Sequence, residues 1–206
     1  MMADITIVDY GVGNVASIAN MIRKAGFTSD LSNDADAIAA AGRIILPGVG
    51  AFDTAASKLR LSGLGEVVAA KAAAGDRVLG VCLGMQLLLD GSEEGDEPGL
   101  GIVPGTVRRF PRVVGHDALR VPHMGWNTIT RRANADALPA VQDGDRFYFV
   151  HSYYADPTDP ADTMATTEYG VPFASMVRRG NVVGAQFHPE KSHRMGARLL
   201  ADFARS

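Results

Sequence analysis

Arg77-Val78-Leu79-Gly80-Val81-Cys82-Leu83-Gly84-Met85-Gln86-Leu87-Leu88-Leu89 changes character twice. An apolar run suited to a buried strand ends at Gly80, the only cysteine follows, and beyond Gly84 come Met85, Gln86 and three leucines, all good helix formers. The stretch predicts a strand, a sharp turn and a helix. A cysteine on such a turn is held out of the sheet at a helix start, where unpaired amides and the positive dipole end favour a thiolate. The flanking glycines permit unusual backbone angles and leave room for a substrate beside the sulfur. Gly80-Val81-Cys82-Leu83-Gly84 has the form of a nucleophile elbow with sulfur in place of oxygen. A buried structural cysteine is the competing reading, and this stretch alone leaves both open.

Upstream the same alternation repeats. Ile5-Thr6-Ile7-Val8 predicts a strand, Tyr10-Gly11-Val12-Gly13-Asn14 a glycine loop, and Val15, Ile18, Ala19 and Ile22 a helix that stops near Gly26. Gly11, Gly13 and Ala16 also satisfy the dinucleotide fingerprint G-x-G-x-x-G/A, with Asp30 or Asp34 only roughly where its acidic residue belongs. Asn33-Asp34-Ala35-Asp36 starts a helix that runs to Gly42, and Arg43-Ile44-Ile45-Leu46 is the next strand. It leads into Pro47-Gly48-Val49-Gly50, where two glycines beside a proline can turn amides outward as an oxyanion hole, or simply make a strand-to-helix turn. Asp53 to Arg60 and Leu64 to Ala74 read as helices broken at Ser62-Gly63. Such alternation predicts an α/β fold with a central, mostly parallel sheet flanked by helices, and Gly11, Gly48, Gly50 and Cys82 fall at the carboxyl edge where ligands gather.

After Leu89 an acidic loop, Gly91 to Gly99, gives way to short alternating runs at Gly105–Phe110, Trp126–Thr130, Arg146–Val150 and Met164–Thr167, which predict an antiparallel or mixed extension of the sheet. Asp156-Pro157-Thr158-Asp159-Pro160 reads as a surface loop. The final strand, Asn181 to Phe187, delivers His188-Pro189-Glu190, whose His and Glu share a side if the segment is extended, and Ser192 or its neighbour caps a last helix to Phe203.

The 206 residues carry no proline- or serine-rich linker, so one domain over residues 1–206 is expected. A formal charge of -3 offers no basic face for nucleic acid, and a lone cysteine makes no internal disulfide. Met1-Met2-Ala3-Asp4-Ile5 enters a strand without a basic region and apolar core, and no stretch is long enough to cross a bilayer, so a soluble, cytoplasmic protein is expected.

An elbow cysteine and a histidine followed closely by a carboxylate are the parts of a Cys-His-acid triad: Cys82, His188 and Glu190. A metal site of His188, Glu190 and His193 is the alternative, but Pro189 and a turn intervene and no second ligand pair is visible, so no metal is expected. His116, His123 and His151 read as structural or surface residues.

Taken together, Tyr10–Asn14, Pro47–Gly50, Gly80–Gln86, Pro122-His123-Met124-Gly125-Trp126-Asn127, Tyr148-Phe149-Val150-His151-Ser152-Tyr153 and Gln186–Ser192 resemble the class I glutamine amidotransferases. Within that class they resemble the glutaminase subunits of imidazole glycerol phosphate synthase. The resemblance implies a flavodoxin-like fold and a Cys82-His188-Glu190 glutaminase without a cofactor. It further implies an oxyanion hole from Leu83 with Val49 or Gly50, and recognition of glutamine by Gln86, Glu94, Ser152 and Tyr153. The ammonia would pass to a (β/α)8 cyclase subunit in a heterodimer, docked through Asn14, Met124, Trp126, Tyr148 and Lys191. That partner makes imidazole glycerol phosphate and an aminoimidazole carboxamide ribotide in histidine biosynthesis. For Glu94 a solvated loop position competes, and for Trp126 a place in the core. Rival readings are a glutaminase for anthranilate, GMP or pyridoxal phosphate synthesis, and a non-catalytic nucleotide-binding module.

Overall fold

The apolar runs at Ile5–Val8, Arg43–Leu46 and Arg77–Val81 become strands in a computed structural model that describes residues 3–132 and 138–206; Met1 and Met2 lie outside the described residues. In chain order the elements are β1 (Ile5–Val8), α1 (Val15–Lys24), β2 (Ser29–Ser32), α2 (Ala35–Ala40), β3 (Arg43–Leu46), α3 (Phe52–Leu61), α4 (Leu64–Ala74), β4 (Arg77–Val81) and α5 (Leu83–Gln86). Then come β5 (Gly91–Ser92), β6 (Gly105–Arg109), β7 (Val113–Val114), β8 (Asp117–Ala118), β9 (His123–Thr128), β10 (Thr130–Arg131), β11 (Arg146–His151) and β12 (Tyr153–Pro157). The chain closes with β13 (Thr163–Tyr169), β14 (Val171–Arg179), β15 (Val182–Ala185) and α6 (His193–Arg205).

One sheet runs β2-β1-β3-β4-β15-β14-β12-β6-β5, with β13 on β14 and β10 on β13. β2, β1, β3, β4 and β15 are mutually parallel, and the direction reverses at β14. The parallel part and the antiparallel extension are thus one continuous sheet, joined where β15 enters between β4 and β14. Strands buried on both faces read as continuous apolar runs, as Ile5 to Val8 and Ile44 to Leu46 do. One face is covered by α1 and α6 through Ile18, Ile22, Leu199, Leu200 and Phe203, the other by α2, α3 and α4 through Ile38, Leu59, Leu64 and Val68. β9 and β11 form a separate antiparallel ribbon, as do β7 and β8.

Four local expectations are corrected. The helix after Cys82 stops at Gln86 instead of continuing through the leucines. Leu87, Leu88 and Leu89 are buried, and their carbonyls accept from the amides of Leu100, Ile102, Val103 and Gly101, which an α-helical turn would have used itself. Pro189 to Lys191 form a 3₁₀ turn, so His188 and Glu190 are brought together by a turn and not by an extended segment. Ser192 takes the N-cap position of α6 as expected but caps it with no side-chain bond, because its hydroxyl donates to His188 O at 2.6 Å and accepts from Tyr148 N at 3.0 Å. Asp156 and Pro157 belong to β12, paired with Thr106 and Gly105.

Candidate active site

Cys82 takes φ 54° and ψ -110°, a backbone that a residue with a side chain adopts only when its surroundings hold it there. They do so here. Its amide donates to Ala185 O at 2.8 Å, and its carbonyl accepts from Met85 N and Gln86 N at 3.0 and 3.2 Å. A Cβ on Gly84 would lie 1.9 Å from Leu46 O, and one on Gly48 2.6 Å from Gly84 N, so the elbow is pressed directly onto the loop after β3. With α5 only a turn long, the N-terminal dipole invoked from sequence shrinks to the local amides.

β15 lies parallel to β4, with Ala185 opposite Val81, and this register carries His188 to the elbow. His188 Nδ1 meets Glu190 Oε1 at 2.8 Å, which leaves Nε2 as the ring nitrogen available to Cys82, whose influence the imidazole feels. Both side chains are nearly sealed, 3% and 1% exposed, while Cys82 keeps 7% of its surface accessible. Burial disfavours a charged imidazole, but the bonds to Cys82 and Glu190 and the attraction of those groups outweigh it and raise the His188 pKa to about 9. The structural-cysteine alternative does not describe a thiol so placed at a cavity wall.

That cavity, about 410 Å³, is lined by the triad's Cys82 and His188 together with Val49, Gly50, Leu83, Gln86, Glu94, Ser152 and Tyr153. The amides of Val49, Gly50 and Leu83 donate to no protein group among the described residues. Val49 is 43% exposed and Gly50 has φ +95°, whereas the loop just before them is fixed by the buried Tyr10 hydroxyl, which donates to Pro47 O at 2.6 Å. The loop of Gly11 and Gly13, the dinucleotide alternative, leans on this same place: a Cβ on Gly13 would stand 2.8 Å from Pro47 Cβ. Its glycine is accounted for by that close approach.

The chain belongs to the class I glutamine amidotransferase family. The family model described as glutamine amidotransferase class-I matches residues 6–206. The chain is 45% identical to the imidazole glycerol phosphate synthase subunit HisH of Aromatoleum aromaticum, covering 98% of each, and 46% identical to the HisH 2 subunit of Pseudomonas aeruginosa, covering 97% of this chain and 98% of that one. The structure superposes on a crystal structure of a glutamine amidotransferase with a TM-score of 0.74 at 17% identity, covering 98% of this chain and 99% of the other, which speaks for the fold alone. Membership is thus of the HisH glutaminase subunits within the class.

For a member of this family, the remaining expected residues are placed as follows. Gln86 Nε2 donates to Tyr153 O and to Gln186 Oε1, both at 3.0 Å. Glu94 is no freely solvated loop residue, for it lines the cavity while its Oε2 accepts from Phe52 N at the start of α3, at 2.9 Å. Met124 and Trp126 are 61% and 42% exposed on β9, so Trp126 is not a core aromatic. Tyr148 pairs with Trp126 in the ribbon, Lys191 Nζ sits 5.7 Å above the Tyr148 ring, and Asn14 holds the N-cap position of α1 without a side-chain capping bond; α1 packs on the Pro189–Lys191 turn. His193, the third member of the metal alternative, stacks on Trp126 at 5.3 Å.

Gln186 was missed from the sequence. Wholly buried, it donates to Cys82 Sγ at 3.8 Å and accepts from Gln86. A period-two reading of the last strand carries the signal, since residues 186 and 188 share a face.

Proposed function

We propose that the chain, as one amidotransferase domain over residues 1–206, hydrolyses glutamine to glutamate and ammonia. It hands the ammonia to a synthase subunit that forms imidazole glycerol phosphate in histidine biosynthesis. Cys82, its proton already held on His188, attacks the side-chain amide carbon of glutamine. The carbonyl oxygen gathers negative charge against the amides of Leu83 and of Val49 or Gly50. His188, oriented by Glu190, passes the proton to the departing ammonia; it then takes a proton from the water that attacks the glutamyl thioester and holds it as the Cys82 sulfur departs and glutamate leaves. Gln86 and Glu94, with the Ser152 and Tyr153 backbone, hold the amino acid end of the substrate.

The observation that carries this reading is the convergence of a strained cysteine, a hydrogen-bonded His-Glu pair and unpartnered amides on one 410 Å³ cavity. The relatives named as synthase subunits support the acceptor. The exposed Met124 and Trp126, with Tyr148, Lys191 and Asn14, are the docking face of a (β/α)8 cyclase in a heterodimer, aromatic anchors being usual at such centres. No described helix is long and apolar enough to cross a membrane, and a charge of -3 suits a cytoplasmic enzyme that binds no nucleic acid. No step needs a metal or cofactor.

The test is Cys82→Ala in the reconstituted complex. Synthesis from glutamine falls to background, while synthesis from added ammonia stays within about two-fold of the parent, since free ammonia bypasses the thiol. Glutamine-dependent turnover in the variant would overturn the assignment of the nucleophile.

A further inference from the structure

His123 and His151 are both buried, and the mechanism uses neither. They form a directed hydrogen-bonded line whose orientation is fixed at both ends. At the inner end His151 Nδ1 lies 2.8 Å from Tyr153 O, which only accepts, so Nδ1 carries the proton and Nε2 is an acceptor. His123 Nδ1, 3.0 Å from that Nε2, is therefore also protonated, and its own Nε2 accepts from Asn127 Nδ2 at 3.2 Å. At the outer end Asn127 cannot flip, because its Oδ1 accepts from Thr128 N at 2.8 Å and its Nδ2 also donates to Glu168 O at 3.0 Å. Both rings are thus neutral with a single tautomer. Phe110, Phe149, Tyr169 and Phe173 enclose the His123 ring, and this apolar setting lowers its pKa to about 4 and that of His151 to about 3.

The line ends on a carbonyl with a second guest. Tyr153 O accepts from His151 Nδ1 and from Gln86 Nε2, which fills both its lone pairs. The second proton of Gln86 Nε2 goes to Gln186 Oε1. Both amide protons are therefore spent on protein, and Oε1 is the Gln86 atom left to the cavity, with no partner among the described residues. A rotated Tyr153 peptide would free Gln86 to flip and present a donor instead of an acceptor.

We propose that His123 and His151 are positioning residues for glutamine binding: by fixing the Tyr153 carbonyl they fix the Gln86 carboxamide with its oxygen toward the substrate's ammonium group. This rests on the glutaminase reading above, and it assigns a task to a buried pair of which His151 borders the cavity and His123 is not among the residues that line it.

The experiment compares His123→Leu with His123→Asn in the assembled complex, titrating glutamine and measuring glutamate release. An Asn at this position keeps a donor for His151 Nε2 near where the imidazole Nδ1 stood; Leu does not. The expected result is a KM raised about ten-fold in His123→Leu, the loss of roughly one positioned hydrogen bond, with kcat within about three-fold, and a KM in His123→Asn within about three-fold of the parent. Alkylation of Cys82 by iodoacetamide, which needs no amino acid site, stays unchanged. An unchanged KM in His123→Leu, an Asn variant as impaired as the Leu variant, or a fall in kcat alone overturns the proposal. Should the Leu variant fail to fold, Asn127→Ala reads the same line from its exposed end, with a KM expected to rise about three-fold and an unmoved KM counting against the idea. A parent complex that releases no glutamate would instead overturn the glutaminase reading, so the two failures are distinguishable.

Discussion

Glu190 serves His188 through Oε1, which makes the 2.8 Å contact, while Oε2 is buried with no partner among the described residues. Replacing the carboxylate by an amide keeps the volume but removes the charge that helps raise the imidazole pKa to about 9. In Glu190→Gln the glutaminase rate is expected to fall about a hundred-fold or more, by analogy with triads that lose their acid. The alkaline limb of Cys82 alkylation should move down by at least about one pH unit. A pH profile of iodoacetamide reaction on parent and variant measures both ends of this claim. At this scale Cys82, His188 and Glu190 were legible because nucleophile, base and acid are chemically distinctive types at telling spacings. Gln186 and Tyr10 were not, since a buried carboxamide or phenol announces no chemistry until its partner, Cys82 Sγ or Pro47 O, is known.

Among the elements, α6 reaches the site without contributing a side chain to it. A Cβ on Gly196 would lie 1.7 Å from Pro189 O, so the helix backbone abuts the turn that bears Glu190. Gly196→Ala is expected to destabilise by about 1–3 kcal/mol, as overpacking does, and to slow Cys82 alkylation by shifting that turn. Urea denaturation and an alkylation time course on the same sample would show both effects, and a variant with parental stability and reactivity would refute the contact. The parallel strands β1, β3 and β4 were legible as apolar runs, and α1, α3 and α4 as periodic ones ended by glycine. β12 and β14 escaped notice. Along β14 Phe173 to Val177 are buried without alternation, with Pro172 and the small Ala174 and Ser175 diluting the β signal, so pairing partners rather than local preference decide it. α5 failed in the opposite way, because the leucines' helical propensity lost to hydrogen bonds from the loop beyond Gly99.

Across the whole molecule, three buried histidines set opposite slopes of stability with pH. Below the ordinary value of 6.5 the unfolded chain binds protons that native His123 and His151 refuse until about 4 and about 3, so stability falls as pH drops. Above 6.5 native His188 keeps its proton up to about 9 while the unfolded chain loses it, so stability falls as pH rises through that window. Each proton contributes a slope of at most about 1.4 kcal/mol per pH unit, and the acid side carries two. Urea midpoints taken near about pH 5, 6.5 and 8.5 should peak at the middle value, with the steeper fall toward acid. A midpoint still rising beyond neutrality would contradict the raised His188.

β15 has one more consequence, and it concerns the protein's birth. Residues 182–185 slot between two strands laid down earlier in the chain and carry the base behind them. A ribosome that has not yet released this stretch therefore holds a thiol with no imidazole to activate it. Translation order thus delivers the nucleophile well before its base.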